Sequence, residues 1–211
     1  MKKCDIGIYN YPSSNFFSLS SAINKISVKY KTSENIDDLL DVGKIIIPGV
    51  GSMKNFLHNQ KHDLIAEKLK SFTNNNGIIY GICLGMQYFL TNSNEGGVGL
   101  ETLNIVSGRT LALKDNFKTH MNVGFKKIIP DSEKSIFNKF MKGVIDEKFY
   151  FMHKYHCKIN ENILDTIYTE YENKKILAGF YKDNFLGSQF HPELSGVAGL
   201  RFLKNFSEYK F

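Results

Sequence analysis

Through its first half the chain alternates two hydrophobic patterns: short continuous apolar runs, and stretches where apolar residues recur every three or four positions. "CDIGIYN" (4–10) reads as a buried strand, closed by Tyr11-Pro12-Ser13-Ser14, a turn and helix cap. Phe16, Leu19, Ile23 and Ile26 then predict a helix over 15–26. "GKIIIPGVGS" (43–52) is an apolar strand that ends in Pro48-Gly49-Val50-Gly51, and Phe56, Leu57, Leu64, Ile65 and Leu69 mark the helix or helices that follow. "NNNGIIYGIC" (74–83) is a turn and a further apolar strand, after which "LGMQYFL" opens another helix. Such alternation predicts parallel βαβ units with helices on both faces of a sheet.

Beyond about residue 95 the pattern changes. "GRTLAL", "VGFKKII", "KFYFMHKYHC", "KKILAGFYKD" and "NFLGSQFH" are short, alternating and bounded by turns, which adds mixed or antiparallel strands. Asp183-Asn184 has the make-up of a tight hairpin turn. Val197, Leu200, Leu203 and Phe206 predict an amphipathic C-terminal helix packed back on the sheet. With no repeat, low-complexity segment or linker, the expectation is one α/β domain over 1–211: a mostly parallel central sheet flanked by helices, with an added mixed or antiparallel portion.

Composition narrows the function classes. Hydrophobic residues are 42% and charged residues 23% of the 211, the balance of an ordinary soluble globular chain. No apolar stretch reaches the roughly 18 residues a membrane helix needs, and the N-terminal apolar run is too short for a signal peptide, so a cytoplasmic protein is expected. Cys4, Cys83 and Cys157 are widely spaced and form no C-x-x-C pair, which argues against a disulfide framework or a zinc site. The net charge of +6 comes from lysines scattered among acids, as in "DEKF" and "ENKK", and reads as a solvated surface rather than a nucleic-acid groove. A partner surface or a phosphorylated substrate would also suit that charge.

The chemistry gathers around Gly81-Ile82-Cys83-Leu84-Gly85. Where a strand turns abruptly into a helix, glycines two positions to either side leave room for a crowded backbone and expose the central side chain, the logic of the G-x-S-x-G elbow with sulfur for oxygen. A helix N-terminus would also favour the thiolate. A small buried cysteine in a glycine-flanked turn has the same spacing, so the turn alone leaves both readings open. A nucleophilic cysteine needs a base and a group to orient it. His191 ends an apolar strand and is followed by Pro192-Glu193; if that strand runs parallel to the one bearing Cys83, both reach the same carboxyl edge, where α/β sites gather. His58 and His62 read as surface residues, while His120, His153 and His156 are undecided. Pro48-Gly49-Val50-Gly51 offers backbone amides for an oxyanion hole.

Taken together, "PGVGS", "GICLGMQYF" and "QFHPELSG" make the chain resemble the class I (triad) glutamine amidotransferases, most of all the glutaminase subunits of imidazole glycerol phosphate synthases. "NYPSSNFFS", "EGGVGLETLNIVSGR" and "FYFMHKYH" fall where that family has counterparts, so the likeness spans the chain. The resemblance implies a Cys83–His191–Glu193 triad acting on L-glutamine without a cofactor. It implies an oxyanion hole from Gly49, Val50, Gly51 and Leu84, a substrate contact from Gln87, and ammonia passed to a (β/α)8-barrel synthase. Departures lie where such subunits meet their partner: Asn122-Val123-Gly124-Phe125 stands for H-M-G-W, Leu194 for a lysine after H-P-E, and Pro12 and Ser14 for two glycines. Asn122, Phe125 and Leu194 are thus the expected interface positions. A paralogue supplying ammonia for amidination of a bacterial surface sugar is the alternative. A non-catalytic α/β binding domain is disfavoured by the intact triad, and a free-standing thiol hydrolase or peptidase by the lack of any sign of a peptide groove.

Overall fold

The computed structural model describes residues 6–11, 14–58, 62–97, 99–160 and 165–210, so the expectations on Cys4, Asp5, Pro12 and Ser13 lie outside the described residues. Five apolar or half-apolar segments form the parallel part of the main sheet. They are β1 (Ile6–Tyr9), β2 (Tyr30–Ser33), β3 (Lys44–Ile47), β4 (Ile78–Ile82) and, much later in the chain, β14 (Phe185–Ser188). Between them run α1 (Phe16–Lys25), α2 (Met53–His58) and α3 (His62–Asn74).

The second half contributes β5 (Leu90–Ser93), β6 (Leu100–Glu101), β7 (Val106–Ala112), β8 (Asn122–Lys127) and β9 (Ile129–Pro130), then α5 (Phe137–Phe140), which follows the one-turn α4 (Leu84–Gln87) in chain order. β10 (Lys148–His153), β11 (Tyr155–Ile159), β12 (Asp165–Tyr171), β13 (Lys174–Lys182) and the terminal α6 (Gly196–Glu208) complete the chain. The main sheet has the order β2-β1-β3-β4-β14-β13-β12-β9, with β13, β12 and β9 antiparallel. β10 and β8 form a two-stranded antiparallel sheet, and β11-β7-β5-β6 a mixed four-stranded one.

The α/β architecture with its added antiparallel portion is therefore as expected. β13 and β14 pair Lys182 with Phe185, leaving Asp183 and Asn184 at φ 49° and 67°, the two left-handed residues of a type I′ hairpin. The C-terminal helix forms too, but its buried face runs through Ala198, Phe202, Leu203 and Phe206, while Val197 is 82% exposed. Phe202 packs edge-on against Phe190 at 5.4 Å and against Phe140 at 5.7 Å, clamping α6 to the sheet. Burial of one such ring contributes roughly 1.5–3 kcal/mol.

Two expectations change. The helix after Cys83 is a single turn, because Met86, Tyr88, Phe89 and Leu90 are all buried; no solvent face remains, and Leu90 begins β5 instead. Leu64 points outward, so α3 is anchored by Ile65, Leu69 and Phe72.

Strand order sets the place of the site. β3, β4 and β14 are parallel neighbours, in register Ile47↔Gly81 and Gly187↔Gly81. The segments that leave their carboxyl ends therefore emerge side by side: Pro48–Gly51, Cys83 and Gln189–His191.

Candidate active site

Cys83 adopts φ 52°, ψ −102°, a region that a side chain occupies only when its surroundings over-determine it. Its N–H donates to the Ser188 carbonyl at 2.7 Å, tying the turn to β14. A Cβ on Gly81 would come within 2.4 Å of the Gly85 backbone, and one on Gly85 within 2.3 Å of the Ile47 carbonyl oxygen. Both glycines are thus required by close backbone approach, as the spacing suggested.

Gly49 fits the same knot: a Cβ there would lie 2.0 Å from the Ile82 carbonyl oxygen and 2.4 Å from the Leu84 nitrogen. The loop after β3 is thereby pressed against the first turn of α4. The Leu84 N–H, at the start of that turn, has no intrahelical acceptor. Gly51 turns the loop away with φ 99°. The buried Tyr11 hydroxyl donates to the Pro48 carbonyl at 2.7 Å and lies beside the Val50 amide, while its ring packs on Phe56 at 4.6 Å.

His191 leaves β14 and is stapled to β10: its N–H donates to the Tyr150 carbonyl at 2.8 Å, and Ser195 Oγ donates to the His191 carbonyl at 2.6 Å. Its Nδ1 donates to Glu193 Oε1 at 2.8 Å, with both side chains buried. Asn15 Nδ2 donates to the same oxygen at 3.3 Å. Burial opposes charge on the imidazole, but the Cys83 sulfur and then Glu193 outweigh it and hold its pKa well above the usual value. Nε2 has no partner of regular hydrogen-bond geometry among the described residues, so its interaction with Cys83 is chiefly one of charge. Cys157, in contrast, is held as a thiol by burial and by the nearby Cys83 sulfur, which push its pKa up.

A cavity of about 270 Å³ opens over these groups, lined by Gly49, Val50, Gly51, Cys83, Leu84, Gln87 and His191 among others. The structure thus places Cys83, His191, Gly49–Gly51, Leu84 and Gln87 around one cavity, with Glu193 buried behind His191. Gln87 is buried; its Nε2 donates to the Tyr155 carbonyl at 3.2 Å and to Gln189 Oε1 at 3.1 Å. Three further lining or supporting residues were given no role by the sequence pattern, although each lies in a stretch that resembles the family. Gln189 is fully buried and its Nε2 donates to Cys83 Sγ at 3.4 Å. Glu95 lines the cavity, accepts from the Met53 N–H at 3.2 Å, and has its pKa raised by burial. His153 also lines it, with a pKa lowered by burial to about 3. His153 Nδ1 faces the Tyr155 carbonyl at 2.7 Å and must donate to it, so Nε2 accepts from Asn122 Nδ2 at 2.9 Å.

The expected partner positions separate. Asn122 is 0% exposed and hydrogen-bonded to His153, so its side chain lies inside the fold. Phe125 is 55% exposed on β8, its ring 5.3 Å from that of Tyr150, beside exposed Val123 and Met152. Leu194 is half-buried in the turn after His191. His58 and His120 lie on the surface; for His62 only the backbone is described.

Residues 8–208 match the family model "Glutamine amidotransferase class-I". The chain belongs to the class-I glutamine amidotransferase family. It is 34% identical over 195 residues to "Imidazole glycerol phosphate synthase subunit HisH" of Pectobacterium atrosepticum, covering 92% of this chain and 94% of that one. The protein of the same name from Pasteurella multocida is 32% identical, covering 97% and 98%. Among solved structures, "Structure of PurLQS from Thermotoga maritima" superposes with TM-score 0.67 over 95% of each chain at 16% identity. "Crystal structure of glutamine amidotransferase" does so with TM-score 0.65 over 95% and 98% at 13% identity, a likeness of fold.

Proposed function

We propose that this chain is the glutaminase subunit of an imidazole glycerol phosphate synthase: one domain, acting in the cytoplasm, that releases ammonia from L-glutamine for histidine biosynthesis. The observation that carries the reading is the meeting of Cys83, His191 and Glu193 at the carboxyl edge of adjacent parallel strands, beneath a glycine-rich loop. Similarity to HisH subunits along nearly the whole chain favours this pathway over the surface-sugar alternative.

The chemistry follows from the geometry. The Cys83 thiolate attacks the side-chain carboxamide carbon, and the carbonyl electrons move onto oxygen, where the Leu84 N–H and an amide of Gly49–Gly51 receive them. The His191 imidazolium gives its Nε2 proton to the departing nitrogen, so ammonia leaves and a glutamyl thioester remains. Water then adds to the thioester while neutral His191 takes its proton, and glutamate departs with Cys83 restored. Glu193 keeps Nδ1–H oriented throughout and Asn15 holds Glu193. Burial makes Glu95 a costly charge to leave unpaired, which suits it to receive the α-ammonium of the substrate, while Gln87 bounds the same cavity. The apolar face of Phe125, Val123 and Met152, with Leu194 beside the triad, is our candidate surface for a (β/α)8-barrel partner.

The test is complementation in a bacterium lacking its histidine-pathway glutaminase subunit, with and without the barrel protein from this chain's own genome. Growth without histidine only when the cognate barrel is present supports the proposal. Persistent auxotrophy with every histidine-pathway barrel overturns it.

A further inference from the structure

A second cavity, of about 600 Å³, lies where β11 faces β12 and β13, and it shares no lining residue with the catalytic cavity. Its charge is one-sided: Lys158, Lys174 and Lys175 stand against the single carboxylate of Asp131, a balance of three positive charges to one negative. None of these three lysines forms an ion pair among the described residues. Lys174 Nζ instead rests over the Phe117 ring at 5.3 Å, and Lys175 Nζ over Tyr168 at 5.9 Å, so both ammoniums are held at the walls of the cavity. The wall also contains a polar atom with no partner. His156 Nε2 is buried and unbonded among the described residues, while its ring packs edge-on against Phe117 at 5.6 Å. Such a nitrogen needs a partner that the described residues do not supply.

We propose that this cavity binds a small molecule bearing a phosphate monoester. A phosphate dianion matches the excess of two positive charges, and its several acceptor oxygens can engage more than one ammonium at once. The body of the ligand would lie along Phe117 and Tyr168, and a polar group of it would meet His156. Burial, with Lys158 nearby, holds this imidazole below its usual pKa against a hydrogen bond to the Cys157 backbone, so it enters the site neutral with its remaining ring nitrogen able to accept. Nothing in this inference depends on the glutaminase reading.

The test is titration of the full chain, at constant ionic strength, with phenyl phosphate, inorganic phosphate and the uncharged benzyl alcohol, followed by calorimetry and by the ring signals of His156. The expected result is saturable binding of phenyl phosphate, with an affinity on the order of 1 mM or tighter, and a shift of the His156 signals. Inorganic phosphate should bind more weakly at the same place, and benzyl alcohol should not bind. K174A/K175A should weaken binding about tenfold or more, whereas K139A/K142A, exposed lysines elsewhere, should change it less than about twofold. Absence of saturable binding with no movement of the His156 signals overturns the proposal, as does an equal loss in both double variants. The His156 signals in the unsubstituted chain decide the matter if K174A/K175A is poorly folded.

Discussion

Gln189 Nε2 donates to Cys83 Sγ at 3.4 Å while Gln189 Oε1 accepts from Gln87 Nε2 at 3.1 Å, so one buried amide couples Cys83, our proposed nucleophile, to the wall of the cavity above it. A hydrogen bond to a charged group contributes about 1.5–3 kcal/mol, which corresponds to roughly 10–100-fold in rate if it acts on the thiolate. Gln189→Leu should lower kcat for glutamine hydrolysis within that range. It should also raise KM, because Gln87 loses one of the two acceptors that orient it and keeps only the Tyr155 carbonyl. Steady-state kinetics separate the two effects, and unchanged kcat with unchanged KM would show the amide to be mere filling.

Asn15 and Glu193 stand in line behind His191, the base in our proposal. Glu193→Gln keeps the shape but removes the charge that favours the imidazolium, so kcat should fall on the order of 10⁴-fold, still less than loss of Cys83. Asn15→Ala removes only the second donor to Glu193 Oε1, and a few-fold loss in kcat with KM unchanged is expected. A larger effect from Asn15→Ala than from Glu193→Gln would contradict this order.

His153 supplies a pH dependence of stability. Its pKa in the fold is about 3, against about 6.5 for a free imidazole, because it is buried and because His156, His191 and Lys126 oppose a further positive charge there. Between these values the unfolded chain binds a proton that the folded chain excludes. Stability from this group is therefore complete above about pH 6.5 and declines as pH falls toward 3, at about 1.4 kcal/mol per unit. His191, whose pKa is raised, acts in the opposite sense and costs stability as pH rises above about 6.5. Urea midpoints of His153→Gln between pH 4 and 6.5 should lose about one proton's worth of slope relative to the parent chain. Identical slopes in the two proteins would refute it.

Gly49 is the steric keystone between the loop and the nucleophile turn. In Gly49→Ala the new methyl must displace backbone at Ile82 and Leu84, which cannot yield cheaply. We expect a loss of about 1–3 kcal/mol in stability together with most of the glutaminase activity. Gly97→Ala, whose methyl would meet only ordinary contacts near 3.5 Å, should stay within about 0.5 kcal/mol by thermal or urea denaturation.

What was legible in the sequence was local. Gly81-x-Cys83-x-Gly85, Pro48-Gly49-Val50-Gly51 and His191-Pro192-Glu193 each carry their geometry in covalent spacing, and parallel pairing of β3, β4 and β14 brings them together. The Gln189–Cys83 bond joins residues 106 apart in the chain, and no periodicity announces a contact of that range. Asn122 and Phe125 sit on one short alternating strand. Which of them faces inward is decided by register with β10, where Asn122 opposes His153 and Phe125 opposes Tyr150. The helix expected from Met86, Tyr88, Phe89 and Leu90 failed because spacing marks a buried stripe only when some other face meets water, and here none does.

The central claim is that Cys83 is the nucleophile that frees ammonia. Its most direct test is Cys83→Ala, purified with the cognate barrel protein and assayed twice for product, once with glutamine and once with an ammonium salt. The account predicts that glutamine-dependent turnover falls on the order of 10⁶-fold, to background, while ammonium-dependent turnover persists, because only ammonia release has been removed. Glutamine hydrolysis that survives in the Cys83→Ala protein would contradict it.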